Sequence, residues 1–325
     1  MKPSFLFHKI ASKTNDFLFS QGVKRVKAFV EGNRVLVYHG VVKDALKNIN
    51  ARFISTKAFE AQLQYFKRHF QVVPLSEISS QTDSKSPFRI ALTFDDGYLN
   101  NLKEVLPLLE KYEIPATFFI TTIHQGGYDY LWADLLDLYR YAGPSSFYFE
   151  GQLFKKRQYE YVSKQGRLKD QLKNSGWELK KALCDLILKD NCFTHDPTYA
   201  PYLDLLNEDS IRALGQSAYV EIGSHGVYHN CLTKIDLKEA EWELKESKKY
   251  LEHIIQKEVN LMAYPDGMYN NELVAICDKI GYKFQAIVDP NTESDLDNKH
   301  LIPRFGINPF IGLNYQMQCI IDGKY

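Results

Sequence analysis

The sequence predicts an α/β fold: a parallel sheet wound into a closed or nearly closed barrel of about seven strand–helix units, with one helical insertion. Three observations carry this. Short runs of β-branched and aromatic residues recur along the chain, helical apolar patterns separate them, and the alternation fails between about 127 and 206.

The first strand-like run is Val35-Leu36-Val37-Tyr38, ending at His39-Gly40. The second is Ile90-Ala91-Leu92-Thr93-Phe94, ending at Asp95-Asp96-Gly97, and the third is Ala116-Thr117-Phe118-Phe119-Ile120. Tyr219-Val220-Glu221-Ile222-Gly223 is the fourth and ends at Ser224-His225. Val259-Asn260-Leu261-Met262-Ala263 is the fifth and ends at Tyr264-Pro265-Asp266-Gly267. Phe284-Gln285-Ala286-Ile287-Val288 is the sixth, and Leu301-Ile302-Pro303-Arg304 is a weaker seventh. Between them, Leu102, Val105, Leu106 and Leu109 share a helical face, as do Ala240, Leu244, Ser247 and Leu251 behind an Asp236 N-cap. Leu273, Ile276 and Ile280 repeat the pattern before Gly281, a helix stop.

The interruption at 127–206 reads as a helical insertion after the third strand, with Trp132, Leu135, Leu136 and Leu138 on one pattern. It then turns basic at Lys155, Lys156, Arg157, Lys164, Arg167, Lys169 and Lys173, which reads as a solvated helical face or, more sharply, a surface for an anionic substrate. The chain thus divides into an N-terminal helical, basic segment at 1–34 and a barrel at 35–325 that carries the insertion.

Composition narrows the class of protein. The 325 residues hold 40 Lys+Arg against 40 Asp+Glu, a net charge of zero, which argues against nucleic acid as a partner. Aromatic residues make up 14%, more than usual, and serve either as core or as stacking platforms for sugars. Cys184, Cys192, Cys231, Cys277 and Cys319 show no CxxC spacing, so neither a disulfide framework nor a cysteine zinc site is expected. No apolar run reaches the roughly 18 residues of a membrane span. His8 and Lys9 interrupt the N-terminus too early for a signal peptide, so a cytoplasmic location is expected. Basic residues with Phe5, Leu6, Phe7, Phe17, Leu18 and Phe19 interleaved suit either a helix packed on the domain or one lying on the inner face of a membrane or at a lipid carrier.

The chemistry collects at the strand ends, which converge on one rim of a parallel barrel. His225 and His229, four apart across Gly226, have the spacing to hold one metal ion, and Asp95 or Asp96 can supply a carboxylate ligand. Two histidines and one carboxylate leave a position open for water, whose pKa a zinc-type ion lowers to about 7. The second carboxylate can then act as base and a histidine across the site as acid. Taken singly, these residues also fit plainer roles: surface histidines, or an N-cap pair before a helix.

Thr93-Phe94-Asp95-Asp96-Gly97, Ser224-His225-Gly226-Val227-Tyr228-His229 and Ala263-Tyr264-Pro265-Asp266-Gly267 resemble motifs of the polysaccharide deacetylase family, carbohydrate esterase family 4 or NodB homology domain. The resemblance covers roughly 35–120 and 207–305 and implies a distorted (β/α)7 barrel. It implies Asp95 as catalytic base, Asp96, His225 and His229 as ligands of a divalent metal, usually zinc (Zn2+), and the Asp266 backbone N–H in an oxyanion hole, within the Tyr264-Pro265-Asp266 substrate turn. Many members carry an arginine two residues before the motif proline; Ala263 stands there, and Arg304 is the nearby candidate to replace it. The Leu-x-His motif of many members is also missing around His300, whereas His39 in Leu36-Val37-Tyr38-His39-Gly40 resembles the arrangement of a subgroup acting on poly-N-acetylglucosamine, which implies His39 as general acid.

The expected activity is therefore metal-dependent removal of N-acetyl groups from a carbohydrate: a polysaccharide, a lipid-linked sugar or a nucleotide-linked sugar. O-deacetylation or other deacylation of a glycan is the enzymatic alternative, and a catalytically inactive glycan-binding barrel the non-enzymatic one. Tyr264 and Trp132 are candidates for stacking on sugar. His124, His195 and His253 read as structural or exposed, His8 and His69 have no evident partner, and Cys231 can line the rim without touching metal.

Overall fold

The structure is a computed structural model and describes residues 3–27, 32–78, 88–190 and 196–325. Seven parallel strands form its centre: β1 (Asn33–Tyr38), β2 (Arg89–Phe94), β3 (Ala116–Ile120), β4 (Val220–Ser224), β5 (Leu261–Ala263), β6 (Phe284–Ile287) and β7 (Leu301–Gly306). They run around the barrel in the order β1-β7-β6-β5-β4-β3-β2. Pairing of β1 with β2, from Asn33 opposite Arg89 to Tyr38 opposite Phe94, closes it. Each of the seven runs expected from the sequence supplies one strand.

Period-two alternation sorts the strand residues between two cores. Val35, Ala91, Phe119, Leu261, Ala263, Ala286 and Ile302 fill the narrow barrel interior. Leu36, Ile90, Leu92, Phe118, Met262 and Ile287 face outward beneath the helices, where each fully buried large side chain contributes about 1.5–3 kcal/mol. Phe119 occupies so much of the interior that a Cβ at Gly223 would come within 2.6 Å of its ring.

The surrounding helices start and stop where their caps direct. Asp236 accepts from the Lys238 N–H at the head of Leu237–Ile255. Asn270 caps Asn271–Ile280, which ends at Gly281 with φ +97°. The N-terminal helix Pro3–Ser20 packs its second half on Leu313–Asp322: Phe19 stacks on Tyr315 at 5.6 Å, and Asp16 accepts from the Gly312 N–H. The side chains of residues 1–10, including His8, lie outside the described residues, as do Cys192 and His195. Among the described residues no helix is long and apolar enough to cross a membrane.

The insertion departs from the helical expectation. It does hold the helices Trp132–Ala142, Leu168–Lys173 and Trp177–Asp190, but between them lies an antiparallel sheet of Ser146–Phe149, Gln152–Arg157, Glu160–Ser163 and Gly166–Arg167. The basic run hides a strand alternation. Phe154 is buried between exposed Leu153 and Lys155, and its inward neighbours Phe147 and Tyr161 pack against each other at 4.8 Å. Lys155 and Arg157 are thus the wet face of a sheet, not of a helix.

Candidate active site

The turn after β2 separates its two carboxylates. Asp95 continues the strand, donating its N–H to Tyr38 O at 3.0 Å. Asp96 then takes φ +78° and Gly97 φ +84°, where a Cβ would come 2.9 Å from Ile120. A left-handed aspartate costs about 1–3 kcal/mol and clusters at functional sites. Here it turns the Asp96 carboxylate away from that of Asp95.

Asp95 meets Arg304, which rises from within the barrel on β7. The guanidinium donates Nη1 to Asp95 Oδ1 at 2.6 Å and Nη2 to Oδ2 at 2.8 Å, and Nη1 also reaches Thr93 Oγ1 at 3.2 Å. This is the bidentate fork that fixes a carboxylate's orientation. Burial pushes the Asp95 carboxyl up, but Arg304, joined by His225 and His39, outweighs it and holds the group below its ordinary value. A base must be ionised, so activity that depends on Asp95 is present above that pKa and lost as pH falls through it. In Arg304→Met, burial remains without its counter-ion, and the acid limb of the kcat/KM profile should move up by about 1–3 pH units; an unmoved limb would show that Arg304 does not govern this base.

Asp96 faces two histidines. Its Oδ1 lies 3.2 Å from His229 Nε2 and 3.6 Å from His225 Nε2. One ligand atom from each residue fits within 4.8 Å, and all three side chains are buried. His225 Nδ1 donates to Ala263 O at 2.8 Å, which leaves the Nε2 lone pair free and fixes the ring, as the outer partner of a metal-bound histidine does. Burial lowers His225, keeping it neutral and able to ligate. Asp96 Oδ1 is buried without a hydrogen-bond partner. An orphaned carboxylate oxygen facing two imidazole nitrogens is a donor set that fits a divalent cation.

A second layer holds these three side chains. The Tyr98 hydroxyl lies 2.9 Å from Asp96 Oδ2 and 2.8 Å from Asp134 Oδ2, and Arg52 pairs with Asp134 at 2.7 Å and Asp96 at 3.5 Å. Glu243, in Leu237–Ile255, accepts the N–H groups of Val227 and Tyr228 at 3.0 Å each and Asn230 Nδ2 at 2.7 Å. These bonds tie down the histidine loop, where Gly226 takes φ +76° and His229 φ +52°. Lys180, from the insertion, donates to Asn230 Oδ1 at 2.5 Å and lies 5.0 Å over the Trp132 ring. Trp132 Nε1 in turn donates to His229 O at 3.3 Å. The insertion is thus one wall of the site.

Not every anticipated residue reaches the rim. His39 does: burial pushes its ring down to about 4, with Asp96 and Asp95 acting in the opposite direction. Asp266 has φ +59°, and Lys173 of the insertion pairs with its carboxylate. Pro265 is buried beside Gly226. Tyr264 is not at the site: it is fully buried outside the barrel, its hydroxyl on Gln285. Trp132 is covered as well, which removes both proposed sugar platforms. His124 is held by Asp129 and Leu206 O, and His300 by Asp278. The Cys231 thiol contacts Thr233 and Met268 and takes no part in the metal cluster.

Comparison with known proteins agrees with this geometry. The family model described as Polysaccharide deacetylase matches residues 82–285. A poly-beta-1,6-N-acetyl-D-glucosamine N-deacetylase of Staphylococcus aureus is 23% identical over 315 residues, covering 93% of this chain and 86% of that protein. Among solved structures, the Streptococcus pyogenes deacetylase PplD in complex with acetate superposes with TM-score 0.55 at 18% identity, covering 88% of this chain and 95% of that one. IcaB from Ammonifex degensii gives TM-score 0.54 at 15% identity, covering 91% and 98%. A barrel whose Asp-Asp-Gly and His-x-x-x-His turns meet on one rim defines a carbohydrate deacetylase, a hydrolase of amide bonds. The chain belongs to the polysaccharide deacetylase family.

Proposed function

We propose that the chain is a divalent-metal-dependent de-N-acetylase of a carbohydrate. The observation that carries this reading is the buried Asp96–His225–His229 cluster beside the Arg304-held carboxylate of Asp95. A metal bound by Asp96, His225 and His229 would supply Lewis-acid polarisation and activate water. Zinc suits two imidazoles and a carboxylate.

The remaining roles fall to the chain's own groups. Asp95, ionised and aimed by Arg304, takes the proton of the attacking water. The Asp266 backbone N–H donates to the developing oxyanion. His39, kept neutral at rest because burial pushes its ring down to about 4, takes up the proton from Asp95 and passes it to the departing amine, the most basic of the three groups. The named N-deacetylase of Staphylococcus aureus supports N-acetyl over O-acetyl as the target, and the packing of Phe19 on Tyr315 supports a docked N-terminal helix over one lying on a membrane.

The test is acetate release from N-acetylated and O-acetylated glycans side by side, before and after dialysis against a chelator. Release from N-acetyl substrates that stops on metal removal and returns on re-addition is expected; release only from O-acetyl substrates overturns the reading. Metal analysis of His225→Ala should find the ion lost, whereas a full equivalent retained would remove His225 from the ligand set.

A further inference from the structure

A second feature of the rim bears on what the substrate carries. Beside the metal cluster lies a groove of about 280 Å³ between the 47–52 loop and the insertion. Lys47, Arg52, Arg140 and Lys169 line it, against the single carboxylate of Asp137. Asp137 is shared, 2.6 Å from Arg140 and 3.4 Å from Lys169. The other Arg140 nitrogen holds Glu160 at 2.6 Å, outside the lining. Lys47 is exposed and has no carboxylate partner among the described residues; its ammonium caps Pro309 O and lies 5.0 Å over the Phe310 ring. Four cations thus line the groove against one lining carboxylate; Arg52, Arg140 and Lys169 also pair with Asp96, Asp134, Glu160 or Asp137, which leaves Lys47 as the groove cation without a carboxylate partner among the described residues.

Arg52 joins this groove to the reacting centre. Its guanidinium touches the metal ligand Asp96 at 3.5 Å and Asp134 at 2.7 Å, yet 32% of the side chain is open to solvent. An anion on the open side of Arg52 would therefore stand one guanidinium away from Asp96. Two tyrosines on the same groove, Tyr141 at 41% and Tyr159 at 73% exposure, offer apolar faces of the kind that stack on pyranose rings.

We infer that the substrate bears a phosphate or carboxylate close to its acetamido sugar, and that Lys47, Arg52 and Lys169 receive it. This rests on the deacetylase reading and names its substrate class: an anionic acetylated glycan, not a neutral one. Charge-assisted bonds from arginine and lysine to such groups are short and strong, and their long-range part weakens with salt.

Two acetamido sugars that differ only in charge test this: N-acetylglucosamine with an anomeric phosphate and its neutral methyl glycoside. A disaccharide in which N-acetylglucosamine adjoins a uronic acid separates carboxylate from phosphate. Acetate release is measured on the metal-loaded protein, and binding by calorimetry on metal-loaded Asp95→Asn. A charged sugar should be preferred by about tenfold or more at low salt, and the preference should shrink as salt rises. In Lys47→Glu/Lys169→Gln, checked for an unchanged melting temperature, the ratio of charged to neutral should fall towards one. Equal kcat/KM for charged and neutral sugars, or a preference unmoved by the double substitution, overturns the inference and leaves the deacetylase reading standing. Charge-dependent binding lost in the double variant, with no acetate released from any sugar, overturns the deacetylase reading instead.

Discussion

Asp95→Asn should release acetate about 10²–10⁴-fold more slowly than the parent protein while still binding divalent metal. Asparagine keeps the shape of the side chain and can accept one bond from Arg304, but it cannot take a proton from water. The three residues proposed to hold the metal are Asp96, His225 and His229, so the substitution leaves them in place. A stability cost is also expected, because it breaks a buried pair with N···O distances of 2.6 and 2.8 Å, and removing one partner of such a pair costs about 3–5 kcal/mol. Melting temperature and metal content measured on the same preparation separate lost chemistry from lost fold. Turnover retained in folded, metal-loaded Asp95→Asn would remove Asp95 from the role of base. His39→Ala gives a smaller loss if the Asp95 proton reaches the amine by way of His39, since water can replace the relay in part.

What could be read in advance follows from where periodicity operates. The seven strands were legible because each buries one face inward and one outward, so apolar runs are short and sharply bounded. The residues at their ends were legible because a parallel barrel brings those ends together. Tyr264 was misjudged, although the same alternation held the answer: Ala263 faces the interior, so its neighbour must face out into the helical layer. The residues that went unnoticed share another signature. Glu243 lies on the face of Ala240, Leu244 and Ser247, Lys180 on that of Trp177, Leu183 and Cys184, and Asp134 beside Leu135 and Leu138. Each is a charge inside an apolar stripe. Such a charge is expensive unless paired, so its presence there marks a buried polar network. Arg52 offers no such signal, since it lies in an irregular turn without period.

That signature gives the second large effect. Glu243 and Lys180 are both fully buried and are linked through Asn230. Burial pushes Glu243 up and pushes Lys180 down to about 8, while the partners of each act against that burial. Lys180→Met leaves Glu243 without the cation that acts on it, and Glu243→Gln leaves Lys180 without its anion and, with the amide oxygen kept on the Val227 and Tyr228 N–H groups, sets an NH2 group against Asn230 Nδ2. Each single substitution should cost about 3–5 kcal/mol. Each should also weaken metal binding by about 10–100-fold, because the histidine loop loses the groups that hold it. The double substitution should cost clearly less than the sum, since neither remaining side chain is then an uncompensated charge. Denaturant unfolding of the four proteins, with metal affinity measured alongside, closes the cycle. Strict additivity would mean that Lys180 and Glu243 act independently. Unchanged metal affinity in both single variants would mean that the network supports the fold but not the His225–His229 loop.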